Sequence, residues 1–460
     1  DGTLSYYFAS AFDKVYVQPS GLVGLLGLHL PNLFYKPLLA KLGIEPQLFQ
    51  YFEYKNAPNP FTQEGFTKPH REQLERLSKS LFIQIAAGIS QGRQLAPDAT
   101  QTLMNCGNMT AEQAKEAKLI DTILYPDQVL SQVPEGTKVV PMRKYVKELE
   151  KDEKPKPLDL KKDDKPKIAL ITLVGTIARG WDNPNSRDPT ICSESAMRNI
   201  RAAYEDKTVK AIVVRVDSPG GSAVASDSIR RELERAKEAG LPVVVSMGNF
   251  AASGGYYIST AADKIVAQPA SITGSIGVIF GKMVIGKALE KVGINHDDVK
   301  QGEYASAMSP YRTFTEKEAE LAHSLGLRVY EDFTKLVMDS RKLSAKQVDK
   351  LARGRVWSGL DAKELQLVDE LGGLKEAYML AGKLAGLEDK ALPKLVDFPK
   401  PKSALQRIAA ALNDEPGDNS VSLFEGSGAA DIFQALRMLA DMGAVAKRAG
   451  LTGEAEGGVR

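Results

Sequence analysis

The sequence predicts an α/β protein made of two tandem copies of one unit, each with a parallel sheet and flanking helices. Tyr6 to Pro19 reads YYFASAFDKVYVQP and Tyr256 to Pro269 reads YYISTAADKIVAQP, seven identities in fourteen at an offset of 250. Self-similarity at one fixed offset marks a duplicated unit. In the second copy, runs of β-branched residues alternate with helical patterns, the order expected of βαβ units.

The offset persists without a gap. Gly24 and Gly27 fall on Gly274 and Gly277, Gly43-Ile44 on Gly293-Ile294, Glu53-Tyr54 on Glu303-Tyr304 and Pro60 on Pro310. At an offset of 248, AKEAKLID ending at Asp121 matches AKELQLVD ending at Asp369. Strands are expected at 168–174, 211–216 and 242–246, with helices near 194–206 and 224–239 and another opening near Ala252. Thr315 with Glu318, and Ser344 with Gln347, carry the capping-box signature of a helix start.

The first copy is assigned residues 1–142 and the second 168–392. Between them, 143–167 holds 17 charged residues in 25 with three prolines, the composition of a solvated linker. The tail, 393–460, shows helical apolar spacing over Ala429 to Lys447, read as a packing face, and ends in a Gly- and charge-rich stretch expected to be disordered. The second copy opens with a strand-like run far upstream of Tyr256, whereas only five residues precede Tyr6. The sequence is therefore expected to start inside the first copy, with roughly 85 residues and any signal or membrane anchor upstream.

Composition narrows the chemistry. Sixty basic residues against 58 acidic give a net charge of +2, which argues against an electrostatic nucleic-acid binder. Cys106 and Cys192 are too few for a disulfide framework or a cysteine-based zinc site. Ile168 to Ala178 and Gly21 to Leu30 are the longest apolar runs, well short of the roughly 18 residues a membrane helix needs. No metal-ligand constellation appears, and Gly220-Gly221 lacks the Lys-Ser/Thr of a phosphate loop, so neither cofactor nor ATP is expected.

Two glycine-marked turns remain. The strand ending at Val216 runs into Asp217-Ser218-Pro219-Gly220-Gly221-Ser222, where backbone amides could hold an anion or a developing oxyanion. The same residues also make an ordinary Pro-Gly turn closing a βα unit. The strand after Pro242 leads into Ser253-Gly254-Gly255-Tyr256, a serine with small neighbours at a helix start. It reads either as a nucleophile whose following amide donates to an oxyanion or as a helix N-cap. A nucleophilic serine needs a base, yet none of His29, His70, His296 and His323 sits in a motif with a carboxylate. A lysine can serve if an apolar pocket lowers its pKa from about 10.4 toward roughly 7–8. Lys55 of the first copy aligns with Ala305 of the second, while Ser253-Gly254-Gly255 aligns with Thr3-Leu4-Ser5. Each copy keeps one of the two groups.

GNFAASGGYYIST around Ser253, VDSPGGS at Val216 to Ser222, TGSIGVIFG at Thr273 to Gly281 and EYKNA around Lys55 resemble the long, two-repeat form of the signal peptide peptidase A family, also called protease IV. The likeness covers about Tyr6 to Leu380. It implies a fold like the Clp protease subunit and the crotonases, with Ser253 as nucleophile, Lys55 as base and Ser275 holding the lysine. Gly254 and Gly221 would supply the oxyanion amides. It further implies a membrane-associated homotetramer that degrades cleaved signal peptides and other apolar peptides, facing the periplasm or lying at a plastid membrane. One local feature bears on substrate: the apolar Gly21 to Leu28 is expected to line a peptide groove or to be buried core or an oligomer contact. Two other readings stay open, a crotonase-like acyl-CoA enzyme and a catalytically idle membrane-associated scaffold.

Overall fold

The computed structural model describes residues 2–152, 165–183, 186, 188–387 and 393–399. The expected linker opens as the helix Met142–Asp152, while its middle and the expected tail helix lie outside the described residues. Two compact units emerge: the described residues of Asp1–Leu30 and Ser78–Lys165, and those of Pro31–Leu77 and from Pro166 onward. Lys55 thus belongs to the unit that holds Ser253.

The larger unit is built on an eight-stranded sheet. Its central path runs Val356–Ser358, Ile272–Gly274, Val243–Ala252, Val209–Ser218, Lys167–Val174 and Lys394–Asp397. Lys264–Ala267 also pairs with Val243–Ala252 and leads on to Glu370–Leu371. All these pairs are parallel except Ile272–Gly274 with Val356–Ser358. Parallel strands buried on both faces should read as unbroken apolar runs, and alternate side chains here do go to opposite cores. Ala169, Ile171, Ile212, Val214, Val243 and Val245 enter one cluster, shared with Ile200 and Ile229 of the helices Ser193–Glu205 and Ala223–Glu238. Ile168, Ala211, Val213, Val244 and Val266 enter the other, beneath Ala377 and Ala381 of the helix Leu374–Leu384.

The elements fall where the pattern places them, with one extension. The strand expected over 242–246 continues to Ala252, with a register irregularity between Met247 and Ala251, so it delivers the chain directly to Ser253. Both capping boxes are present, at Thr315 before Glu316–Arg341 and at Ser344 before Ala345–Leu351.

The smaller unit has two short pairings, Tyr16–Val17 parallel to Thr122–Ile123 and Leu22–Leu25 antiparallel to Gly107–Thr110. Val23 and Leu25 are buried in its core with Ile89 and Met104. The groove reading of Gly21 to Leu28 fails at these positions, because alternate residues of that strand are spent on the core. Interactions at the 248–250 offset match between the units. Tyr6 Oη donates to Leu119 O, and Tyr256 Oη donates to Leu367 O. Asp121 accepts from Val15 N and Arg93, and Asp369 accepts from Ile265 N and Arg341.

Candidate active site

Register brings the site together at the carboxyl ends of adjacent parallel strands, where open α/β sheets generally place their ligands. Ala251 lies opposite Ser218, and Ala252 opposite Gly274. Ser253, the Pro219-Gly220-Gly221 turn and Ser275 are therefore neighbours by backbone pairing alone. Lys55 arrives from elsewhere in the same unit. The strand Glu45–Tyr51 pairs antiparallel with Val278–Val284, and the amides of Phe52 and Tyr54 then donate to Arg353 O.

Lys55 Nζ lies 3.0 Å from Ser253 Oγ, 2.9 Å from Ser275 Oγ and 2.9 Å from Ser275 O. Its side chain is buried, and burial pulls its pKa from the ordinary lysine range down to about 7. The physical reason is loss of water around the ammonium, which disfavours the charged form. In that neutral form the nitrogen can accept the Ser253 proton. Lys282 is a useful contrast. Burial first, and then Arg312, bring it down to about 8, but its Nζ donates to the carbonyls of Ala307 and Ser309, which have no proton to give.

Ser253 precedes the short helix Gly254–Ser259 in the N-cap position, yet its side chain makes no capping hydrogen bond. Of the two readings of this serine, the cap is the one the geometry lacks, and the hydroxyl turns to Lys55 instead. The residue sits at φ 52°, ψ −117°, a left-handed backbone uncommon outside glycine, and Ser275 likewise has φ 51°. Ser253 N donates to Gly274 O and Ser275 N to Arg355 O, which hold both in place.

Gly221 and Gly254 face each other. A methyl on Gly254 would sit 3.2 Å from Gly221 N and 2.6 Å from Ser226 Oγ. One on Gly221, at φ 155°, would sit 2.1 Å from Ile177 O. Ile177 N donates to Gly220 O and Ser222 N donates to Ile177 O. In such a parallel bridge the N–H of Gly221 itself points away from Ile177. The first amides of the helix Gly254–Ser259 have no acceptor within it. The arrangement brings together a serine hydroxyl, a buried amine and two backbone amides at one edge.

The sequence model of peptidase family S49 matches residues 1–140 and 235–388. The chain belongs to peptidase family S49. It is 31% identical over 424 residues to a chloroplastic serine protease, SPPA, of Arabidopsis thaliana, spanning 89% of this chain and 61% of that one. It is 35% identical over 401 residues to Protease 4 of Haemophilus influenzae, spanning 82% and 62%. The chain thus spans somewhat less than two thirds of these relatives' length. Among solved structures it aligns with a ClpP1 mutant of Listeria monocytogenes at 17% identity and a TM-score of 0.30, over 45% of this chain and 93% of that one. No helix among the described residues is long and apolar enough to cross a membrane.

Sequence reasoning missed the supports around Ser253 and Lys55. Asp217 accepts from Asn249 N, Asn249 Nδ2 and Phe250 N, tying the two strand ends together just before Ser253. Arg353 Nε donates to both carboxylate oxygens of Glu53, two residues before the lysine. Gly354, at φ 87°, leaves room for the Lys55 backbone, where a methyl would lie 2.4 Å from Lys55 N. Glu53 stood in the EYKNA motif, but nothing linked it to an arginine 300 residues away. Beside the lysine, a pocket is lined by Asn56, His70, Gln73 and Ser275. Burial lowers the pKa of His70, and its Nδ1 faces Asn59 Nδ2. His70 is buried, and the exposed His323 meets Tyr51, so both imidazoles are engaged by groups other than Ser253.

Proposed function

We propose that this chain is a serine endopeptidase with a Ser253/Lys55 dyad, and that the 3.0 Å approach of the buried Lys55 amine to the serine hydroxyl is the observation that carries it. Ser253 Oγ attacks a peptide carbonyl as Lys55 Nζ takes its proton. Ser275 orients the amine, and the amides of Gly254 and Gly221 receive the developing oxyanion. Lys55 then returns the proton to the departing amine, leaving an acyl-enzyme, and serves again as base when water releases the acyl group.

The substrates proposed are cleaved signal peptides and other apolar peptides. The assembly proposed is a membrane-associated homotetramer of duplicated chains, facing the periplasm or at a plastid membrane. Family membership and the names of the relatives, a chloroplastic serine protease and a bacterial Protease 4, support the peptidase class and a bacterial or plastid setting. The test is reaction with a fluorophosphonate followed by peptide mapping, together with hydrolysis of an apolar peptide against pH. Modification at Ser253 and a rate rising through one ionisation near pH 7, as Lys55 loses its proton, are the expected results. An unlabelled Ser253 with no hydrolysis would leave the scaffold reading; turnover only of CoA thioesters would transfer the site to acyl-CoA chemistry.

A further inference from the structure

The pocket beside Lys55 has a volume of about 230 Å³, room for one side chain of medium size, and all its lining residues belong to the larger unit. Lys55 and Ser275 line it, whereas Ser253, Gly221 and Gly254 do not. The pocket thus opens on the lysine's side of the serine, not on that of the oxyanion amides. In the reaction proposed above, Lys55 returns its proton to the departing amine, so the departing residue must pass beside Lys55. Its walls are polar and carry groups without partners. Asn56, His70 and Gln73 are only 7%, 5% and 6% exposed. Asn59 Nδ2 donates to Asn56 Oδ1 and lies 3.4 Å from His70 Nδ1. Asn56 Nδ2 is buried with no partner. Gln73 Oε1 accepts from Val356 N, which leaves its Nε2 unengaged. A neutral ring whose Nδ1 faces an amide N–H carries its proton on Nε2, so His70 adds a further donor. The half-buried Asn32 makes no side-chain hydrogen bond among the described residues and brings a carbonyl as well as an amide. No carboxylate lines the pocket among the described residues. Buried donors without acceptors cost free energy unless a ligand or water answers them.

We propose that this pocket receives the side chain of the first departing residue of the substrate and selects one that bears a carboxamide, glutamine above all. The proposal rests on the Ser253/Lys55 reading and adds the leaving side of its substrate. A carboxamide oxygen answers the donors of Asn56, His70 and Gln73, and its nitrogen can donate to Asn32 Oδ1. An aliphatic side chain would cover those donors without answering them, and a site built to hydrogen-bond its ligand discriminates strongly against an analogue that cannot. A carboxylate would accept the same bonds, but an anion beside Lys55 favours the ammonium form and so takes the base away. The apolar preference proposed for the substrates then falls on the acyl side.

The experiment uses the full chain and internally quenched peptides that are apolar on the acyl side and identical except at the first departing residue, with the cleaved bond read by mass spectrometry. Peptides carrying glutamine, leucine or glutamate at that place are compared by kcat/KM at about pH 8. Glutamine is expected to exceed both others at least about tenfold. Asn32→Ala and Gln73→Leu, each checked by circular dichroism, should bring the glutamine-to-leucine ratio to within about threefold of one, a ratio that a general loss of folded enzyme does not move. A glutamine peptide cut no faster than its leucine or glutamate counterpart by a chain that a fluorophosphonate labels at Ser253, or a ratio unchanged in both variants, overturns the subsite and leaves the dyad standing. No cleavage of any peptide together with an unlabelled Ser253 overturns the dyad reading, and the subsite falls with it.

Discussion

Thr3 and Ser253 stand 250 residues apart at equivalent places in two similar units, and only one of them is aimed at a lysine. Thr3 is the first residue of the helix Thr3–Ala9, and its Oγ1 accepts from Leu26 N. Ser253 lies one step outside its helix, in a left-handed conformation, with Oγ directed at Lys55 Nζ. The position of Ser275 is taken in the first unit by Leu25, which is wholly buried in the apolar core. Some bonds around both places are shared, among them Tyr6 and Tyr256 each donating to a leucine carbonyl. Architecture and chemistry are separable here because the shared bonds lie away from the reacting groups.

The sharpest way to break this contrast is to remove the groups that differ. Ser253→Ala and Lys55→Ala are each expected to lower peptide hydrolysis about 10⁴-fold or more, measured as kcat/KM, with far-UV circular dichroism unchanged. Retained turnover in either would put the chemistry elsewhere. A finer version imports the residue of the first unit: Ser253→Thr keeps a hydroxyl but places a β-branched side chain at φ 52°. A loss of about 10²-fold is expected, and an unaltered rate would mean that the left-handed backbone is dispensable.

The buried lysine also has a stability signature. Its folded pKa, about 7, lies below the unfolded value, so the folded protein binds fewer protons between the two. Stability therefore rises with pH from about 7 to about 10.5, and the full cost of the buried charge is present below 7. Lys55→Met should stabilise the protein on the order of 5 kcal/mol at pH 6, and the gain should vanish above the unfolded lysine pKa. Urea unfolding at pH 6 and 10 measures it; a pH-independent difference would contradict a depressed pKa. The smallest effects concern what the units share. Asp121→Asn and Asp369→Asn each weaken an arginine pair and a backbone bond. Costs of about 1–2 kcal/mol are expected, larger for Asp369, whose side chain is less exposed than that of Asp121 while the two arginines are about equally buried. Equal midpoint shifts would remove that ranking.

Local signals carried much of the reading. β-branched runs marked the three central strands, and Thr315/Glu318 and Ser344/Gln347 each marked a helix start, because these features act over a few residues. Comparing the copies isolated Lys55 from sixty basic residues. The continuation of Val243–Ala252 to Ser253 was not legible, since Gly248 and Asn249 look like a turn until Asp217 receives the neighbouring amides. Nor was the fate of Gly21 to Leu28, whose apolar character is the same in a core as in a groove.

Residue order alone determined that the polypeptide holds two related halves, where their strands and helices begin, and which serine, lysine and glycines are worth watching. Only folding decided that Lys55 loses its water, that Ser253 turns away from capping its helix, and that Arg353 and Gly354 shape the lysine's loop. Those outcomes depend on desolvation and on contacts hundreds of residues apart, and neither leaves a mark on the local pattern of side chains.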